Sequence, residues 1–505
     1  MRVMKRRSFA PLFASLAFAA PWVAHAAESD VPSLAIPPAH ARLGYEQVRF
    51  PGGGPRTGLV GTSYLVDLAD VPGLSLGPAV YGAVSGRHGG FFTLGGEAAW
   101  RQRLAGPFGI ELGLFAGGGG GGGGAPEGSG LMLRPHADVL WDLGPMAVGL
   151  SLSHVNISGG KVASTQLGLV LNAATDFRFV PAERLREPAL AGGRAGLGFD
   201  RIQLVGGAYR TPAGRTLNDG QPLPRTISTL GVRAEQAWGS NGYWGVEALR
   251  AGRGGVGGYA EYLGTLGLER ELVRNGLTAG VRVAAGAAGG GGVSTGGGLL
   301  VKAAGYGIVR ISDEFGLALE ASYARAPNGN FRGMEASAAV VWALDGPSRA
   351  GPAARPARTD FSVGAERLDA LRDDGGERPL TAVTLRLDRY LTKNAYVAGK
   401  VLSAAGGAAS GYSGAIVGAG WMQPFDFGGT SRLHAGAELL AGAAGGGRVD
   451  GRGALFAPRV YAGLQLTPTL ALRAGAARMK ALDGRLNSNV FDLGLVVSYG
   501  VSAGN

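Results

Sequence analysis

One passage occurs three times along this chain of 505 residues: a short strand of alternating apolar residues, a run of glycine, then a second alternating strand. The copies begin at Gly109 (GIELGLFAGGGGGGGGAPEGSGLMLRPHADVLW), Gly280 (GVRVAAGAAGGGGVSTGGGLLVKAAGYGIV) and Gly436 (GAELLAGAAGGGRVDGRGALFAPRVYAGL). The third position of each copy is charged: Glu111, Arg282 and Glu438. The period, about 155–170 residues, is too long for a solenoid repeat. It matches eight short antiparallel strands with their turns.

The strands declare themselves by period two, which places alternate side chains on opposite faces. Phe92, Leu94, Gly96, Ala98 and Trp100 alternate with Thr93, Gly95, Glu97, Ala99 and Arg101. Leu131, Leu133, Pro135, Ala137, Val139 and Trp141 alternate with Met132, Arg134, His136 and Asp138. The last strand sets Phe491, Leu493, Leu495, Val497 and Tyr499 against Asp492, Gly494, Val496 and Ser498. One face is apolar, with aromatics toward the ends (Phe92, Trp100, Trp141, Trp238, Trp244, Tyr499); the other is small or charged.

Composition then separates a soluble sheet from a membrane one. Residues 1–26 read as a secretory signal: a basic start (Arg2, Lys5, Arg6, Arg7), an apolar stretch from Phe9 to Val23, and Ala24-His25-Ala26 as a small-x-small cleavage site. There is no cysteine, so no disulfide framework, thiolate metal site or cysteine nucleophile is possible. Glycine is 93 of 505 residues, 46% of the chain is hydrophobic and charge is 17%. No apolar run after the signal is long enough for a spanning helix. An exported, apolar-rich chain without such a helix satisfies its backbone in lipid by closing strands into a barrel.

The turns alternate in kind. Tight ones (Asp70-Val71-Pro72-Gly73, Ala105-Gly106-Pro107, Leu143-Gly144-Pro145, Asn275-Gly276, Asp313-Glu314-Phe315-Gly316, Lys393-Asn394, Thr467-Pro468) carry reverse-turn residues and are expected on the periplasmic side. Longer glycine-rich ones (Pro51 to Gly58, Gly86 to Gly90, Gly117 to Gly130, Ser158 to Ser164) are expected outside. The first unit yields strands near 41–50, 57–68, 74–85, 91–104, 108–116, 131–142, 146–156 and 164–176. The expected organisation is signal peptide 1–26, periplasmic segment 27–40, repeat units 41–176, 197–345 and 359–500, linkers 177–196 and 346–358, and a tail 501–505. That makes about 24 strands, all-β and antiparallel.

Two architectures satisfy this count. All strands can close into one wide ring, or three eight-stranded barrels can stand side by side. Eight-stranded barrels are filled by their own side chains, whereas rings of 16–18 strands leave an aqueous channel. The Pro-containing linkers suit separate modules. The high cost of an unpaired edge in lipid favours units that share edges in one large ring, and one large barrel is the expectation, three small ones the alternative.

The signal, the alternating strands, the turn phrase LDRYLTKNAYVAG from Leu387 and the final strand FDLGLVVSYG together resemble a Gram-negative outer-membrane β-barrel protein. The resemblance is to the class and covers nearly the whole mature chain. It implies passage through the general secretion pathway and residence in the outer membrane. It also implies lipid, lipopolysaccharide and the barrel-assembly machinery as partners. The class usually ends on an aromatic residue; here Tyr499 is followed by Gly500 to Asn505.

The candidate lumen-lining residues are Glu97, Arg101, Glu111, Arg134, Asp138, Glu261, Arg282 and Glu438, and the candidate glycine-loop residues are Gly117, Gly120, Gly124, Gly289, Gly292 and Gly445. The glycine tracts read either as flaps over a pore mouth or as bent strand ends needing no side chain. No Gly-Lys-Ser/Thr follows them, so they are not a nucleotide-binding loop. Arg134-x-His136-x-Asp138 places three polar groups on one face; the aligned positions are Lys302, Ala304, Tyr306 and Pro458, Val460, Ala462. A repeat that keeps no such triple elsewhere favours an inner-wall salt bridge over catalysis, so no enzyme, cofactor or metal site is expected. Net charge is +11, of which four lie in the signal, leaving +7, and lysine occurs only six times. Arginine pairs bidentately with phosphate or carboxylate. No basic stripe with interleaved aromatics argues for nucleic acid. The expected function is an outer-membrane channel, a passive pore or an export conduit for a polar or anionic solute or polymer with a possible periplasmic partner. The alternative is a non-conducting structural or surface-binding protein of filled barrels; a lipid-modifying barrel enzyme ranks below both.

Overall fold

The computed structural model describes residues 35–51, 54–68, 71–121, 130–185, 196, 198–274, 276–344, 356–427, 430–451, 453–482 and 484–502; the signal segment, Gly124 and most of both linkers lie outside the described residues. The first unit comprises β1 (Pro38–Val48), β2 (Thr57–Asp67), β3 (Leu74–Ser85), β4 (Phe92–Arg103), β5 (Phe108–Gly120), β6 (Leu131–Asp142), β7 (Met146–Ile157) and β8 (Ala163–Asp176). A two-residue strand, β9 (Val180–Pro181), follows. The second unit comprises β10 (Arg201–Arg210), β11 (Thr226–Trp238), β12 (Gly242–Arg253), β13 (Ala260–Val273), β14 (Leu277–Gly289), β15 (Leu299–Arg310), β16 (Phe315–Arg325) and β17 (Arg332–Ala343). The third comprises β18 (Pro356–Leu371), β19 (Glu377–Tyr390), β20 (Ala395–Gly406), β21 (Ser413–Phe427), β22 (Thr430–Gly445), β23 (Gly453–Gln465), β24 (Leu470–Ala481) and β25 (Asn487–Ser502).

Each unit closes on itself. β1 pairs β8 (Tyr45↔Leu169), β10 pairs β17 (Val205↔Ala339) and β18 pairs β25 (Phe361↔Val497). The architecture is therefore three antiparallel eight-stranded barrels, and the preference for one wide ring is corrected. The edge argument does not separate the two, because pairing first strand to last within a unit leaves no edge either. The inner wall separates them: its long Arg, Glu and Tyr side chains meet across a barrel of this width.

Inside and outside are inverted relative to a soluble barrel. The burial of β1 alternates strictly along Ala41–Val48, with Arg42 and Glu46 inside and Leu43 and Tyr45 outside. Leu150, Leu152, Leu167, Leu169, Val281, Val283, Leu317, Leu493 and Phe491 are exposed on the outer walls, Leu319 by 71%. Trp141, Trp238, Trp244 and Trp421 stand exposed near the turn-side ends of their strands, with Phe108 beside Trp141 and Phe315 stacked on Trp342. An apolar band with an aromatic girdle and a charged interior is the arrangement of a transmembrane barrel.

The barrels pack in a closed ring. β3 of the first lies against β14 and β15 of the second, β12 of the second against β22 and β23 of the third, and β20 of the third against β5 and β6 of the first. In every case the third strand of one unit meets the fifth and sixth of the next, which is a heterologous contact that closes after three steps. At the turn side the seam joins last strand to second strand. Tyr499 packs among Phe177, Phe179 and Tyr64, and Arg389 lies over the Trp342 ring at 5.7 Å. β9 adds to the end of β25 (Tyr499↔Pro181), clasping the first barrel to the third.

Candidate functional site

The inner walls come first, because any conduit would run through them. In the first barrel Arg134 donates twice to Glu46, at 3.0 and 2.8 Å, and to the Tyr81 hydroxyl at 3.2 Å. Arg42 donates to Asp138 at 2.9 Å. His136 is wedged between two carboxylates, Nδ1 3.1 Å from Asp138 and Nε2 3.2 Å from Glu97. In the second barrel Lys302 lies 2.9 Å from both Glu247 and Glu261 and 3.1 Å from Glu335. Arg233 pairs with Glu247, and Arg282 with Glu320 and Glu235. In the third, Arg386 pairs with Asp388 and Glu438, Arg459 with Glu438 and Asp492, and Arg473 with Asp388 and Asp360. Arg134 and Glu46, Lys302 and Glu247, and Arg386 and Glu438 each stand three strands apart around their barrel, whereas Arg233 with Glu247 and Arg459 with Glu438 are neighbours on adjacent strands; their charged ends are buried. A cavity of about 20 Å³ remains in the third barrel, beside Glu366, Arg386, Lys400 and Arg459.

The residues expected to line one lumen are thus distributed over three interiors. Glu97, Glu111, Arg134 and Asp138 are buried in the first, Glu261 and Arg282 in the second, Glu438 in the third. Arg101 sits at the turn-side rim, half-buried, its backbone N–H donating to Gly73 O at 2.8 Å. The triple Arg134, His136 and Asp138 is consumed by these pairings. Glu111, His136 and Asp138 place ligand atoms within 4.8 Å of one another, yet Arg42 already lies 3.6 Å from Glu111 and 2.9 Å from Asp138, where a cation would have to sit. Arg42, Glu46, Glu247, Glu335, Arg386 and Arg473 were not singled out from the sequence, although each lies on the inward parity of its strand, as the pattern Arg42-Leu43-Gly44-Tyr45-Glu46 shows.

The glycine tracts occupy the seams. Gly90, Gly258 and Gly411 are equivalent residues just before the fourth strand of each unit, and Gly121, Gly290 and Gly446 follow the fifth; all six have φ between 89° and 96°. A Cβ on Gly121 would strike Gly90 O within its own barrel, and one on Gly411 would strike Gly121 of the first barrel from the third. The same two contacts recur as Gly446 on Gly411 and Gly258 on Gly446, then Gly290 on Gly258 and Gly90 on Gly290. Six backbones therefore form a closed ring at the loop side where the three barrels meet. Of the expected glycine-loop residues, Gly120, Gly289 and Gly445 adjoin this ring. Gly117 instead leaves room for the Phe115 ring inside the first barrel. Gly292 stands off the seam, φ 77°, accepting a bond from Asn218 N at 2.8 Å.

One cleft opens at the loop side of the seam between the second and third barrels. Its volume is about 260 Å³, and it is lined by Gly252, Arg253, Gly255, Gly257, Asp450, Gly453 and Gly484. Asp450 is bonded by Arg485 at 2.6 Å.

No family model matches the chain, and no curated protein does. Solved structures that align with it include the outer membrane protein opdK from Pseudomonas aeruginosa, at 10% identity over 93% of this chain and 99% of that one, TM-score 0.22. OccAB3 from Acinetobacter baumannii aligns at 8% identity over 92% and 99%, TM-score 0.21. The siderophore receptor PirA from P. aeruginosa aligns at 10% over 93% and 81%, TM-score 0.27. Likeness at this level decides nothing about the chain's function; its barrel architecture rests on the strand pairing itself.

Proposed function

We propose that the chain is an outer-membrane protein of a Gram-negative bacterium whose three barrels are filled and closed at rest, and that its work is structural or surface-binding and done at the loop face. One observation carries this reading: in each of the three interiors, buried Arg or Lys side chains reach carboxylates on the far wall. Charged side chains so paired are held by both Coulomb attraction and the cost of stranding either partner in a low dielectric. The apolar outer walls support a membrane location. Export through the general secretion pathway, insertion by the barrel-assembly machinery and contact with lipopolysaccharide are parts of the same proposal. Of the two readings drawn from the sequence, this is the non-conducting one.

The channel reading keeps one specific observation of its own. Arg386 and Arg459 share Glu438 beside the small cavity of the third barrel, and a network with shared partners can open by exchanging them. Single-channel recording of the refolded mature chain in a planar bilayer tests both. Silence from protein shown to be folded and inserted supports filled barrels; discrete conductance steps overturn them and support a gated path.

A further inference from the structure

Each barrel interior has two layers, and only the one toward the turn side is charged. Along β6, from the loop side down, the inward residues run Met132, Arg134, His136 and Asp138. Along β15, Leu300 precedes Lys302. Along β18, read from its loop-side end, they run Ala370, Leu368, Glu366 and Gly364. The loop-side layer is apolar in every unit. Phe91, Phe115, Met132 and Val155 pack together in the first barrel. Tyr209, Tyr259, Leu300 and Phe331 do so in the second, and Leu368, Leu402, Tyr412 and Met479 in the third. Two inward positions per strand, on strands tilted by about 40°, make the layer roughly 10 Å deep.

One aromatic residue in each layer is held in the same way. Phe91, Tyr259 and Tyr412 directly follow the ring glycines Gly90, Gly258 and Gly411, and each is 0% exposed. Their backbone N–H groups donate to His88 O, Val256 O and Ala409 O at 3.0, 3.0 and 2.9 Å. Their carbonyls accept from Ala83 N, Ala251 N and Ala404 N at 3.0, 3.0 and 2.8 Å. Inside the barrels Phe91 meets Phe50, 5.2 Å between centroids, and Tyr259 meets Phe331 at 5.5 Å. The Tyr412 hydroxyl donates to Met479 Sδ at 3.7 Å. The glycine ring at the seams therefore anchors one ring-bearing residue inside every barrel.

The two layers respond to water in opposite ways. A polar-lined gap takes up water, whereas an apolar one stays dry, and an apolar constriction bars ions by dewetting. The 20 Å³ cavity of the third barrel lies in the charged layer, beside Glu366, Arg386 and Lys400, and is large enough for one water. Leu368, Leu402 and Tyr412 stand between those residues and the loop face.

We propose that the apolar layer anchored by Phe91, Tyr259 and Tyr412 is the seal that keeps each barrel impermeable, and that the ion pairs beneath it set the barrel's shape without closing it. This assignment rests on the closed-barrel reading above. It also fixes what opening requires: an exchange of partners among Arg386, Arg459 and Glu438 leaves the layer above them intact.

Planar-bilayer recording of the full mature chain tests it with two variants of the third barrel. Tyr412→Ala thins the apolar layer. The double variant Glu366→Gln with Lys400→Met removes the buried pair just beneath it, 2.6 Å apart. Resistance to unfolding in SDS without boiling establishes first that each is folded. Discrete conductance steps are expected from Tyr412→Ala, beside silence from the wild type and from the double variant. If Tyr412→Ala does not fold, Met479→Ala thins the same layer and is expected to conduct in its place. Conductance from the double variant, or silence from the folded Tyr412→Ala, overturns the proposal. Conductance from the wild type overturns the closed-barrel reading instead. The seal then stands if Tyr412→Ala conducts more than the wild type and the double variant does not, and falls otherwise.

Discussion

Gly258 and Gly446 stand back to back across the seam between the second and third barrels: a Cβ on Gly258 would lie 2.9 Å from Gly446 N. Both residues have positive φ, 96° and 94°, so the contact demands glycine for its conformation as well as its size. The same relationship recurs at Gly90 with Gly290 and at Gly411 with Gly121. Three barrels are thereby joined backbone to backbone at one point.

Replacing Gly258 by alanine separates the two demands. Gly144 has nearly the same backbone, φ 95°, with nothing within 4 Å of an added Cβ, so Gly144→Ala costs only the left-handed conformation, ~1–2 kcal/mol. Gly258→Ala adds a collision with a neighbouring barrel, overpacking worth about 1–3 kcal/mol more. Urea unfolding of the two variants side by side reads the difference. Equal losses would mean that the seam yields without resistance.

Lys302 holds three carboxylates together, Glu247, Glu261 and Glu335. Lys302→Met leaves Glu261 and Glu335 without a cation, while Glu247 keeps Arg233, and a loss of about 3–5 kcal/mol is expected. Adding Glu261→Gln to Lys302→Met removes one of the repelling charges and recovers part of the loss. The unfolding midpoints of the single and double variants check both statements.

His88 gives the loop face a pH dependence. It lies between β3 and β4, its ring stacked on Phe50 at 4.4 Å and its Nδ1 2.6 Å from the Thr57 hydroxyl. Burial, followed by the neighbouring Arg87, pushes its pKa below the ordinary value. The folded state therefore binds fewer protons than the unfolded one below about pH 6.5, and stability contributed by this residue falls as pH drops through that window. Amide exchange at Gly89–Phe91, corrected for its intrinsic pH dependence, is expected to quicken between neutral pH and pH 5. His88→Phe, which keeps a ring on Phe50 and cannot protonate, is expected to abolish the change.

The outer wall can be tested at Leu319, midway along β16 and 71% exposed. In water an arginine there is innocuous, whereas facing the bilayer midplane it costs about 2–4 kcal/mol. Leu319→Arg is expected to lower the yield of folding into phospholipid vesicles and to leave the interior ion pairs untouched. Unchanged folding yield would place this wall outside the lipid.

Much of this was legible in the chain. Period two assigned Glu97, Glu111, Arg134 and Asp138 to the inner face and Leu112, Leu114, Val139 and Trp141 to the outer one, because successive side chains on a strand must point opposite ways. The glycine repeat announced three equivalent units. Arg250, which donates to Ser413 O of the third barrel at 2.8 Å, was the hard case: a single charge on an apolar parity gives no sign of whether it meets lipid, water or another barrel.

What the sequence by itself determined is local and periodic: which residues are strand, which face of each strand is apolar, where the chain turns, and that the pattern occurs three times. Which strands close each barrel was left open, since the first strand of a unit can bond the last of its own unit or of the preceding one with the same backbone groups. Tertiary structure decided it. Arg134 reaches Glu46, and Lys302 reaches Glu247, only across a ring of eight strands, and Gly258 touches Gly446 only once the second and third rings stand together. Those contacts join residues distant along the chain, and no local periodicity encodes their distance in space.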